Sequence, residues 1–146
     1  MNEFTKVFNN KYLIIPIVLW FLIQTFKVIT ELIKTKKLNF KRIMGAGGMP
    51  SSHSAVVTSI ATLIGKDAGF DSMLFALSVI LACVVMYDAA GIRRAAGKQA
   101  VLLNKIVNTP GLSNLEVQEK LVEVLGHSPV QVFVGAIIGI IAGAIF

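Results

Sequence analysis

The fold class the sequence predicts is an all-α integral membrane bundle of about four transmembrane helices with a soluble helical excursion. Three observations carry it. Of 146 residues, 55% are hydrophobic and only 15% are charged, against roughly 25% charged in soluble domains. Mean hydropathy is +0.74. The apolar residues gather into long runs divided by short polar segments. A small water-soluble domain exposes much of its area, and this composition has too little polar surface to cover one. That excludes an ordinary soluble enzyme, and the hydrophobicity excludes disorder. The length suits a single membrane domain over residues 1–146. With one cysteine, Cys83, neither a disulfide framework nor a cysteine-based zinc site can form within the chain. A net charge of +6 on so apolar a protein points to membrane lipids and phosphates as partners, and away from nucleic acid.

The elements follow in order. Leu13 to Phe26 is apolar and continues in helical style to Ile33. No small-residue cleavage site follows, so it reads as a membrane helix and not as a signal peptide. Residues 34–42 carry five positive charges in nine positions and read as a solvated loop. Gly45, Gly47 and Gly48 lead into Met49-Pro50-Ser51-Ser52-His53-Ser54. Pro50 suits the first position of a helix that runs to about Ile64. On it Ser54, Thr58 and Thr62 form a hydroxyl stripe that should face other helices. The helix is short for a full span, so a central, shielded position suits it. Gly65 to Ser72 is a loop, and Met73 to Tyr87 is a further span ending in Asp88, Arg93 and Arg94. Residues 93–128 form the excursion between the last two spans: an Ala-rich helix, a Thr109-Pro110-Gly111 breaker, then a capping box at Ser113–Glu116 opening an amphipathic helix to Leu125. Pro129 to Phe146 holds no charge and forms the last span. In it Gly135, Gly139 and Gly143 allow close helix approach, within the chain or between copies as a homo-oligomer.

Four spans place ten positive side chains on the side of residues 34–49 and 92–129, and three (Lys6, Lys11, Lys66) on the other. The positive-inside rule makes the ten-charge side cytoplasmic, in a multi-pass protein of the cell membrane.

The two histidines fall on that same side. His53 lies in a helix's first turn, and His127 just precedes the last helix. Helix starts bind oxyanions through free N–H groups and the helix dipole. Arg93 and Arg94 end a third helix on that face, and Lys27 and Lys34 lie at or near the matching end of the first. Each has an ordinary structural reading taken alone: a cap, an interfacial anchor, a snorkelling lysine, or Asp88 holding an arginine by charge pairing. Together they suit a bound phosphate, neutralised by cations, with one imidazole to attack phosphorus and another to protonate the leaving oxygen.

Pro50-Ser51-Ser52-His53-Ser54 resembles the Pro-Ser-Gly-His-Ser motif of the type-2 phosphatidic acid phosphatase superfamily, which includes vanadium-dependent haloperoxidases. His127-Ser-Pro129-Val-Gln131, with the small-residue helix after it, is similar to that superfamily's final motif. Arg93 follows His53 by forty residues, near the family's arginine, with Arg94 competing for the role. Lys27 and Lys34 stand seven apart, like the first motif's lysine and arginine. The stretch from Gly47 to Lys98 looks like the superfamily's divergent bacterial and plant branch. The resemblance implies a phosphatase acting on a lipid phosphate or pyrophosphate, with no metal or other cofactor. It makes His127 the nucleophile and His53 the general acid, while Lys27, Ser52 and Arg93 or Arg94 hold phosphate oxygens. The sequence departs from the family pattern at Ser52, where the motif has glycine. It departs again at Gln131, where the family has an acid that orients the nucleophile. Gln131 can still accept a hydrogen bond from the imidazole, but without a charge to stabilise it. The rival expectation is a non-catalytic binder of phosphate lipids or a transport-associated membrane subunit.

Overall fold

Small residues, not large ones, fill the interior. Ser51, Ser54, Ala55, Ser59 and Leu63 are fully buried, while Phe21, Leu77, Ile80, Val84, Phe133 and Ile141 point outward. A soluble protein does the reverse. Outward-facing large apolar side chains and a core of small residues and hydroxyls are the solution for helices packed in lipid. The computed structural model describes residues 3–36, 48–107, 121 and 126–146, and among them every regular element is a helix: α1 Glu3–Phe8, α2 Lys11–Thr35, α3 Ser52–Ala68, α4 Met73–Ala90, α5 Ile92–Val107 and α6 Pro129–Ile145. Two runs, Lys11–Thr35 and Met73–Val107 through α4 and α5, are long and apolar enough to cross a membrane; α6 is apolar but shorter. The central helix α3, expected among four spans, does not meet that test: it is 17 residues long and carries His53, Lys66 and Asp67 as well as its hydroxyls.

Each boundary has a local cause. Asn10 caps α2 by accepting from the Tyr12 N–H at 3.0 Å, and Lys36 ends it in the left-handed conformation with φ +54°. Pro50 is not the first helical residue, as its sequence position suggested. Ser51 caps α3, accepting from the Ser54 N–H at 3.3 Å, and Pro50 precedes the cap. A serine oxygen satisfies a free helix N–H, which proline cannot. Helix α3 also continues a turn beyond Ile64 and stops at Gly69, whose φ is +94°. Ser72 caps α4 through the Phe75 N–H at 3.1 Å. Ser128 caps α6, with Pro129 in its first turn.

Helix α3 is the one against which α2, α4 and α6 all pack. Its contact with α6 is the closest. Added side chains at Gly135, Gly139 and Gly143 would collide in turn with Ser51, with Ala55 and Thr58, and with Ser59 and Thr62. The order rises on both helices, so the two run parallel. The Ser51 N–H donates to the Gln131 carbonyl at 3.0 Å, and the Thr58 hydroxyl donates to the Ala136 carbonyl at 3.1 Å. The hydroxyl stripe thus meets another helix as expected, and the glycine ladder is buried within its own chain. Helices α2 and α4 run the other way. Lys11 pairs with Asp67 at the far end of α3, Nζ to Oδ2 2.6 Å, where the Tyr12 hydroxyl also donates to Asp67. Lys66 donates to the Ala144 carbonyl at 2.8 Å. One end of the bundle therefore collects the starts of α3 and α6 and the later parts of α2 and α4.

The expected Ala-rich helix of the excursion is α5. Asn104 on α5 holds Leu121 by both backbone groups, at 2.9 and 3.1 Å. The breaker at Thr109-Pro110-Gly111, the capping box with its helix to Leu125, Gly45, Gly47 and most of the basic run lie outside the described residues.

Replacing Gly139 tests the ladder. Gly139→Leu should lower stability by about 1–3 kcal/mol through overpacking, measured by denaturant unfolding in detergent. Ile137→Leu, on the exposed side of the same helix, should stay within about 0.5 kcal/mol.

Candidate active site

Three backbone features bring His127 to the start of α3. Gly126 adopts φ +86°, and a side chain there would strike the Arg93–Arg94 backbone, so the turn requires glycine. The His127 N–H then donates to the Ala89 carbonyl of α4 at 2.8 Å. The Ser51–Gln131 bond fixes α6 beside α3. The result sets the rings of His53 and His127 5.9 Å apart, centre to centre, at an interplanar angle of 64°.

His127 is 2% exposed. Its Nδ1 lies 3.2 Å from Gln131 Oε1, and the same oxygen accepts from the Ser128 N–H at 3.1 Å. A backbone N–H can only donate, so the amide must present its oxygen there. Nδ1 must then carry the ring proton, and Nε2 of the neutral ring is left with its lone pair. Gln131 closes a capping box in the same stroke, its own N–H donating to Ser128 Oγ at 3.3 Å. Burial holds the His127 pKa below the ordinary histidine value, and the charges of Lys27 and His53 push the same way, while the Gln131 hydrogen bond and the Gly48 backbone oppose them. The neutral imidazole is the favoured form.

Lys27, only 3% exposed, lies within electrostatic reach of both imidazoles. Arg93 and Asp88 are within reach of His53 and paired with each other, Nε to Oδ2 2.7 Å. His53 Nδ1 is buried and, among the described residues, has no hydrogen-bond partner. Arg94 is exposed and meets the site through its backbone at Gly126. Arg93 is likewise exposed and also meets Gly126 through its backbone, but it is the charge of Arg93 that reaches His53. Lys34 stands further out, in a groove of about 590 Å³ shared with Lys27, Thr30, Glu31 and Gly48. Ser52 is buried at the first position of α3 and does not line that groove. Among the described residues, no three His, Cys, Asp or Glu side chains gather as a metal site.

The structure thus brings together His53, His127, Gln131, Lys27, Asp88 and Arg93, with Lys34 at the rim. Sequence reasoning missed Gln24, the place of Glu31 in the groove, and the capping role of Gln131. Gln24 is buried on α2 one turn before Lys27, and Glu31 lines the groove. With Lys27 and Lys34 they repeat at helical spacing, a polar stripe on an apolar helix that could have been read from sequence. The Ser-Pro-Val-Gln capping box at Ser128–Gln131 was legible too, and it explains why a glutamine there is useful to the helix.

Comparison with known proteins supports the kinship these motifs suggest. The family model described as the Divergent PAP2 family matches residues 8–142. The chain is also similar to the uncharacterized membrane protein YuiD of Bacillus subtilis (strain 168), with 43% identity over 129 aligned residues and coverage of 81% of this chain and 82% of YuiD. No solved structure matches the chain. With the two histidine motifs meeting at one end of the bundle and the family model covering nearly every residue, the chain belongs to the Divergent PAP2 family.

Proposed function

We propose that this protein is a membrane phosphatase that hydrolyses a lipid phosphate or pyrophosphate through a phosphohistidine on His127. The single observation behind this reading is the pair of imidazoles 5.9 Å apart with the buried Lys27 in reach of both. His127 Nε2 attacks phosphorus, the bond from phosphorus to the leaving oxygen breaks, and His53 gives that oxygen a proton. Water then attacks the phosphohistidine, losing a proton to His53 as the P–N bond breaks, and inorganic phosphate leaves. Lys27 and Arg93 stabilise the charge on the equatorial oxygens, and Asp88 holds the Arg93 guanidinium in place. Gln131 keeps the attacking nitrogen free by fixing the proton on Nδ1. The excess of positive side chains on this end of the bundle supports a cytoplasmic site.

The uncharged Gln131 favours a second reading, a protein that binds phosphate lipids without turnover. A carboxylate stabilises the imidazolium that forms beside it, and an amide in that place costs a triad enzyme about 10⁴-fold. Phosphate release by the purified protein from a panel of lipid phosphates decides between the two. For the enzyme, His127→Ala should lower kcat by about 10³-fold or more, and His53→Ala by about 10²- to 10⁴-fold. Equal rates in all three proteins would leave the binding reading standing.

Acidity offers a further check. The attacking imidazole must be neutral, and the lowered His127 pKa keeps it so below the usual 6.5. The acid limb of the kcat/KM profile should therefore lie under that value. In Gln131→Glu a carboxylate favours the imidazolium, so the limb should move to higher pH while kcat rises about tenfold or more. Orientation is tested by Gly45→Cys in a Cys83→Ala background. An impermeant maleimide should leave it unlabelled in intact cells, and labelling from outside would overturn the cytoplasmic placement.

A further inference from the structure

Helix α2 packs mainly on α3 and only lightly on α6, which leaves a crevice between α2 and α6. Next to the cationic groove lies an apolar cavity of about 380 Å³, and the two share Phe26 and Met49 as walls. A second apolar cavity, of about 510 Å³, shares Leu19, Leu22 and Ile138 with the first. Together they run from the lysines down the bundle in one line. We propose that this crevice holds a single hydrocarbon chain of the phosphate-bearing lipid, which enters sideways from the bilayer between α2 and α6. The assignment deepens the phosphatase reading and rests on it for the headgroup.

Length and continuity argue for that occupant. From Phe26 to Ile14 along α2 is about 18 Å at 1.5 Å per residue, a little over half of a hydrocarbon core of about 30 Å. A chain anchored by its phosphate at Lys27 and Lys34 would thus lie against protein through one leaflet. The other large apolar cavity, about 480 Å³ between α3, α4 and α6 around Phe75 and Cys83, has no wall in common with the cationic groove. It offers a tail no charged end. Burial of a chain in the α2–α6 crevice would favour long-chain phosphates over short ones at about fourfold per methylene buried.

The test uses the full chain in phosphatidylcholine nanodiscs and hexadecyl phosphate carrying a diazirine at its tail, with the corresponding alcohol as control. After photolysis, adducts should concentrate on Ile14, Ile141 and Ile145 at the far end of the crevice, about tenfold above the alcohol, and unlabelled hexadecyl phosphate should compete. Equal labelling by the alcohol would mean that bulk lipid fills the crevice and would overturn the proposal. So would adducts spread equally over Leu77 and Leu81 of α4, or Leu22→Cys chains that crosslink to each other. Leu22→Trp with Ile138→Trp should raise KM for hexadecyl phosphate about tenfold, the effect of about two methylenes, and leave the rate on water-soluble para-nitrophenyl phosphate unchanged. Crevice adducts without phosphate release from any substrate would sink the hydrolysis reading alone. Release with adducts elsewhere would sink the crevice alone.

Discussion

The parallel contact between α3 and α6 is the constraint on which the rest of this structure depends. Parallel neighbours in a helical bundle need a connection that crosses back, and here the antiparallel α4 supplies it. Once Gly135, Gly139 and Gly143 lie against Ser51, Ala55 and Ser59, two helix starts stand at one level. Their free N–H groups and positive dipole ends then point the same way. The hydrogen bond from Ser51 to Gln131 is the topmost rung of that contact. It joins the cap of one helix to the third residue of the other, and the two histidines flank it. A shift of one helix by a turn would move it about 5.4 Å and part the rings.

Electrostatics at this end are arranged by depth. Lys27 is buried on a largely apolar helix, and a lysine in such a place usually marks function. The paired Arg93 and Asp88 sit nearer to solvent, where a charge pair is less costly to hold. His127 is kept neutral by burial and oriented by an amide. The site therefore gathers positive charge around its imidazoles without placing a carboxylate against His127. That gives strong attraction for an anion together with weak support for a developing imidazolium. In the proposed reaction, binding and turnover pull apart at Gln131, so this residue is where the two readings of the site differ.

Much of this was legible in the sequence. Composition gave the membrane class, the hydroxyl stripe at Ser54, Thr58 and Thr62 foretold a helix–helix face, and the histidine motifs met as their resemblance implied. Other features were hidden for physical reasons. The choice between Arg93 and Arg94 depends on how α5 departs from α4 past Gly91, and local pattern does not record such an angle. Helix α3 was counted as a span for its apolar residues although it is short for one, and its packing on three neighbours makes polar residues tolerable there. The stripe that Gln24 and Glu31 complete was passed over because single polar residues in an apolar run are commonplace. Only their shared face with Lys27 and Lys34 gives them meaning. Pro50 was read by its commonest helical position, but the serine after it offers the better cap.

The small-residue seam also has a thermodynamic signature. Soluble proteins gain stability by taking apolar surface out of water, and a large heat-capacity change on unfolding follows from that. Here the docking of α6 on α3 excludes lipid tails, not water, and is held by van der Waals contact and backbone-directed hydrogen bonds. Separation of these helices inside a bilayer should hence be nearly free of heat-capacity change. Its free energy would vary almost linearly with temperature, without the curvature that brings cold denaturation to water-soluble folds.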